Sequence, residues 1–166
     1  MKRIIYHASN QIVDAPKILK RGYPKDFGYG FYCTNLYEQA FSWVASKFNH
    51  CGYINVYLYD EDLAKEKGLK ILKFNPKDEE WLDFVNLCRN TYGKTPHDYD
   101  IVEGPMSDDK LYKYLKKIRQ GKYFSRKKLW GVAEYKEENH QICFLSKEAL
   151  SVLKYERSEK YEVKKL

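Results

Sequence analysis

Asp26-Phe27-Gly28-Tyr29-Gly30-Phe31-Tyr32-Cys33-Thr34 sets the pattern for the rest of the chain. Two glycines one residue apart run straight into aromatic, β-prone residues. Glycine permits positive φ and close backbone approach, so Gly28-Tyr29-Gly30 reads as a tight turn feeding a strand. Phe31 to Thr34 favour a pleated, half-buried surface. Asn35, with Glu38 three residues on, reads as an N-cap and a capping-box-like helix start. The sequence of turn, strand and capped helix predicts a rigid wall presenting one tyrosine ring to a ligand. An aromatic strand in an ordinary core has the same composition, so the rest of the chain must separate the two readings.

Working outward, Lys2 to His7 reads as a first strand with His7 at its exit, followed by a turn at Ala8-Ser9-Asn10. Gln11 to Arg21 is an irregular element broken by Pro16 and ended by Gly22. Tyr37, Phe41, Val44 and Phe48 recur at helical spacing, which predicts a helix from Leu36 to about Asn49 with Gly52 ending it. Tyr53 to Tyr59 alternates, Ile54, Val56 and Leu58 on one face and tyrosines with Asn55 on the other, as in a half-buried strand.

A short helix or turn at 60–67 and a strand at 69–74 come next. Asn75-Pro76 starts a helix whose stripe is Trp81, Phe84, Val85 and Cys88. Tyr99 to Pro105 is a strand running into a turn. Ser107 caps a helix whose inward residues are Leu111, Leu115 and Ile118, and Ser125 caps another through Leu129. Gln141 to Leu145 is a buried strand, Ser146 begins a last helix, and residues 153–166 form an edge strand or a loose tail. The pattern is that of one α+β domain over residues 1–166, long enough to bury a real core.

Sixteen tyrosines point to half-buried rings with polar tips. No apolar run reaches the length of a membrane span, and the N-terminus has no signal-peptide core. Cys33, Cys51, Cys88 and Cys143 lack Cys-x-x-Cys spacing, so reduced thiols and a cytoplasmic location are expected, delivery as an effector being the lesser option. His7, His50, His97 and His140 show no ligand spacing, which argues against a metal. The net charge is +7, and nine basic residues with no acidic one lie from Lys110 to Lys128. That block suits nucleic acid or an acidic protein, and equally a solvated helix face.

Tyr6-His7-Ala8-Ser9, the Gly-x-Gly-Phe-Tyr strand and Gln141 are far apart in sequence, and no spacing joins them. Together they resemble the three motifs of the histidine-tyrosine-glutamate branch of ADP-ribosyltransferases, which contains diphtheria-toxin-like enzymes and poly-ADP-ribose polymerases. More closely, the chain resembles a bacterial family of unknown function related to that branch. The shared features are Asp-Phe-Gly-x-Gly-Phe-Tyr-x-Thr, Tyr-Asp-Ile-Val-x-Gly-Pro and Gln-Ile-Cys-Phe followed by a helix, over roughly Ile4 to Leu153. The resemblance implies a split, mixed β-sheet core flanked by helices and an NAD-dependent transfer of ADP-ribose to a macromolecule. It implies toxin-like action on a protein or nucleic acid, with an antitoxin as a potential partner and no membrane.

By the same resemblance, His7 would bond the adenosine ribose of NAD and the Ala8 backbone would hold the nicotinamide amide. Tyr32 would stack on nicotinamide, and Gln141 would reach its ribose. Ser9, Gly30 and Thr34 complete the implied NAD-binding set. Cleavage of the nicotinamide–ribose bond develops oxocarbenium character, so positioning and charge stabilisation matter most. Gln141 stands where a carboxylate is usual and supplies no charge. Asp100, Glu103, Asp108, Glu134 and Glu138 are candidates to supply it, with Asp100 and Asp108 preferred because they lie in or beside a matched motif. Transfer to an RNA phosphate keeps the fold but lacks a basic constellation around the motifs. The alternative of another class is a catalytically impaired NAD-binding or partner-binding module that uses the basic segment 110–128.

Overall fold

A computed structural model describes residues 1–48, 51–75, 78–133 and 139–162. Expectations at His50, Pro76, Glu134, Glu138 and beyond 162 lie outside the described residues. The fold is mixed α+β, the described residues forming two sheets flanked by six helices. The first sheet has the order β1 (Lys2–Ser9), β3 (Cys51–Asp60), β7 (Leu153–Glu162), all antiparallel. The second has the order β2 (Phe31–Cys33), β6 (Gln141–Phe144), β5 (Ile101–Gly104), β4 (Ile71–Lys73). Its β4–β5 pair is parallel and its other pairs are antiparallel. A bridge between Tyr6 and Thr34 joins the two sheets through backbone bonds of 2.8 and 2.9 Å.

The period-two alternation of strands sorts residues into three cores. Ile5, Phe31, Tyr57, Ile101, Ile142 and Phe144 pack between the sheets. Tyr32, Val102 and Cys143, one residue off in register, instead meet α3 (Glu79–Arg89) and α4 (Asp109–Arg119) through Trp81, Val85, Leu111 and Leu115. On the outer face of the first sheet, α1 (Tyr37–Lys47) sets Ala40 and Val44 against Ile54 and Val56. The short helices α2 (Glu61–Glu66), α5 (Arg126–Ala133) and α6 (Lys147–Leu150) complete the shell.

Four sequence expectations are corrected. The N-cap of α1 is Leu36 rather than Asn35, and the Thr34 hydroxyl accepts from Leu36 N at 3.1 Å. Gly52 does not end α1 but sits in β3 opposite Tyr161, where a Cβ would come within 2.9 Å of the Ser9 carbonyl. Both faces of β3 are covered rather than one, because Tyr57 and Tyr59 fill the space between the sheets. Asp108, not Ser107, caps α4 by accepting from Leu111 N at 2.8 Å. All four cysteines are free thiols, and among the described residues no helix is long and apolar enough to cross a membrane.

Candidate functional site

The glycine turn shapes the site first. Gly28 has φ +97°, a conformation that side chains with Cβ rarely adopt, and its N–H closes the turn on Lys25 O at 3.1 Å. Gly30 is needed for closeness instead: an added Cβ would meet Phe144 O at 2.7 Å and Cys143 Sγ closer still. Tyr32 folds back onto this turn. Its hydroxyl donates to Gly28 O at 2.8 Å and accepts from Phe27 N at 3.0 Å. With the phenol buried, its pKa is pushed well up, so the hydroxyl stays protonated at neutral pH and held by the turn. What remains for a ligand is the ring, over which the Lys25 ammonium sits 5.0 Å from the centroid.

His7 packs its ring on Phe31 with centroids 4.3 Å apart. Its Nδ1 lies 2.6 Å from Tyr32 O, and a carbonyl only accepts, so Nδ1 carries the proton and Nε2 is left as an acceptor. Burial pulls its pKa to about 4, against the carbonyl bond, and repulsion from Lys25 adds to the effect. The imidazole is therefore neutral at physiological pH. Lys25 is exposed as a residue, yet desolvation lowers its pKa, and Lys47 and Arg89 lower it further.

Gln141, at the start of β6, is 5% exposed. Its Nε2 donates to Asp26 Oδ2 and to Pro105 O, both at 2.9 Å. Both partners accept only, which fixes the amide orientation and leaves Oε1 as the free end. Asp26, 1% exposed, is the residue that sequence reasoning missed. It accepts from Arg89 Nε at 2.7 Å, Arg89 Nη2 at 2.6 Å, Ser107 N at 2.7 Å and Ser107 Oγ at 2.6 Å, as well as from Gln141. The carboxylate nearest Gln141 is thus Asp26, and Arg89 neutralises it. In the sequence Asp26 stands out only as the first residue of the Asp-Phe-Gly-x-Gly-Phe-Tyr-x-Thr stretch.

These side chains line two neighbouring pockets, the two lobes of the candidate site. The first lobe, about 660 Å³, takes in Ser9, Gly30 and the irregular segment after β1. The second, about 750 Å³, takes in Ala8, Asp26, Trp43, Arg89, Asp108 and Gln141. His7, Lys25 and Tyr32 line both lobes. Both lobes fall within the size range of ligand pockets. Asp108 therefore borders the cleft while capping α4.

The other expected residues are elsewhere. Thr34 belongs to neither lobe and serves the sheet bridge and the start of α1. Asp100 precedes β5 at the end opposite Gly104, the partner of Gln141, and accepts from Lys70 N and Ser146 Oγ at 2.9 and 2.6 Å. Glu103 bonds Arg3 and His140 and lines neither lobe. Among the described residues, no cluster of three His, Cys, Asp or Glu side chains is placed to hold a metal.

No curated protein and no solved structure matches the chain. A family model described as "Protein of unknown function (DUF3990)" matches residues 3–155, nearly the whole chain. The protein whose cleft is lined by His7, Tyr32 and Gln141 belongs to that family.

Proposed function

We propose that the chain is an NAD-dependent ADP-ribosyltransferase-like protein, toxin-like in action, that moves ADP-ribose from NAD to a macromolecular target. The observation that carries this reading is the common cleft of His7, Tyr32 and Gln141, contributed by β1, β2 and β6. Two lobes that share His7, Lys25 and Tyr32 in their walls suit a dinucleotide, one half in each. Lys25 lies over the Tyr32 ring where a cationic nicotinamide would stack, so one cation would replace the other. Lys25 and Lys47 border the second lobe and would then face the pyrophosphate.

In this scheme Nε2 of His7 accepts from a ribose hydroxyl, and Gln141 Oε1 accepts from a hydroxyl of the nicotinamide ribose. The bond between ribose C1′ and nicotinamide nitrogen breaks, and its electron pair leaves with neutral nicotinamide. An acceptor atom of the target bonds to C1′ and releases its proton to solvent. The polarised hydroxyl partner stabilises the oxocarbenium-like state less than a carboxylate would, so slow turnover is expected.

A second reading has its own support. Gln141 carries no charge, and Arg89 offsets that of Asp26, as in a module that binds NAD or a partner without turnover. Incubation with labelled NAD and cell lysate separates the two. Free nicotinamide and transferred label, both abolished by Tyr32→Ala, support the transferase. NAD binding without nicotinamide release supports the module; no NAD binding at all overturns the transferase and the NAD-binding module, and leaves only the partner-binding form.

A further inference from the structure

We propose that the basic face of α4, continued through Lys128, is a binding strip for single-stranded nucleic acid that leads to the cleft. The transferase reading gives the strip its purpose, as the surface that holds an acceptor strand, but binding to it needs no NAD. Leu111 and Leu115 turn the apolar stripe of α4 inward, leaving Lys110, Lys113, Lys116 and Lys117 exposed on its outer side. Arg119, Lys122, Lys127 and Lys128 extend this exposed series, and no acidic residue interrupts it from 110 to 128. The helix starts at the cleft, because Asp108, Asp109 and Tyr112 line the second lobe.

Charge alone would suit any polyanion. The aromatic residues narrow the choice. Tyr123, between Lys122 and Phe124, is 89% exposed, a large ring left open to water among cations. Beside it Tyr114 and Phe124 pack edge to face at 4.9 Å, and the Lys128 ammonium lies 5.8 and 5.7 Å from their centroids. Cations tracking a backbone with rings free to stack is how proteins hold single strands without reading sequence. A membrane-surface helix needs an outward apolar face, and that of α4 is buried. An acidic peptide would use the lysines but leave Tyr123 without a role.

Fluorescence anisotropy of the full chain with a labelled oligouridylate tests this, without NAD, between about 50 and 200 mM salt. The expected result is binding whose log–log salt slope is about −3, corresponding to about four phosphate contacts. Tyr123→Ala should weaken it about tenfold at an unchanged slope, as for one lost stacking partner. Lys113→Glu with Lys117→Glu should weaken it further and flatten the slope by about 1.4. These positions are exposed, and unchanged thermal unfolding checks that each variant folds. The proposal is overturned by absent binding at the lowest salt, by equal binding of a duplex with no effect of Tyr123→Ala, or by tighter binding to phosphatidylserine vesicles or polyglutamate. Strand binding with no release of nicotinamide would sink the transferase reading alone.

Discussion

Two buried ionic clusters divide the molecule's polar interior, and they resemble each other in parts but not in setting. In one, Arg3 of β1 forks onto Glu103 of β5 with two bonds of 2.7 Å, and Glu103 also bonds His140 at 2.9 Å. Glu61 joins through Arg3 at 3.3 Å and Lys73 at 2.8 Å. Burial alone would raise the Glu103 pKa, but the bonds from Arg3 and His140 outweigh it and hold the carboxyl well below the usual range. In the other, Asp26 and Arg89 hold Ser107 and Gln141. The first cluster ties the two sheets together and contributes nothing to either lobe of the cleft; the second ends on Gln141 at the cleft wall. Arg3 Nε in the first cluster is buried without an acceptor and still borders neither lobe, so a buried ion pair is by itself no mark of a site. What marks one is a member whose remaining valence faces open volume.

The sharpest way to break this contrast is Asp26→Ala. It leaves the Arg89 guanidinium, Ser107 N–H and Gln141 amide without their acceptor, and should cost about 3–5 kcal/mol in denaturant unfolding. It should also abolish nucleotide binding. Glu103→Gln should cost about 2–3 kcal/mol by weakening charge-assisted bonds, with NAD affinity unchanged within about twofold. If the two substitutions affected NAD binding alike, the division between the clusters would fail.

Smaller changes separate the turn from the ring. Tyr32→Phe removes the hydroxyl between Phe27 N and Gly28 O and should cost about 1–2 kcal/mol, with nucleotide affinity largely kept. Gly30→Ala crowds Phe144 O and Cys143, for about 1–3 kcal/mol.

Acid should distinguish the two regions by window. The folded pKa of His7, about 4, lies below its ordinary 6.5, so the unfolded chain binds more protons between these values. Its contribution is present above 6.5 and is lost as pH falls to about 4. For Glu103 the folded value is depressed from 4.5, so its contribution is present above 4.5 and is lost only as pH falls below that. Unfolding curves at stepped pH should show both phases, and His7→Phe should shrink the upper one, to which His97, its pKa also lowered by burial, contributes as well.

Strands and helices were largely legible because their periodicities are local: α4 buries Leu111 and Leu115 as its spacing predicts, α3 buries Trp81, Val85 and Cys88 but adds Leu82 and leaves Phe84 half-buried, and β6 is buried throughout. Caps were misplaced where tertiary bonds compete. Ser107 is taken by Asp26, which leaves the α4 cap to Asp108, and Asn35 N donates to His140 instead of opening α1. Family resemblance, rather than spacing, joined His7, Tyr32 and Gln141, since their meeting depends on strand order. Asp26 stayed hidden because its partners lie 81 and 115 residues away.

Titration of NAD into isotope-labelled protein, followed by side-chain and backbone NMR signals, bears most directly on the shared cleft. The account predicts that the His7 imidazole, the Tyr32 ring and the Gln141 carboxamide shift together along one saturating curve, which Tyr32→Ala abolishes. Millimolar NAD that leaves all three unmoved, or that moves only residues outside the two lobes, would contradict it.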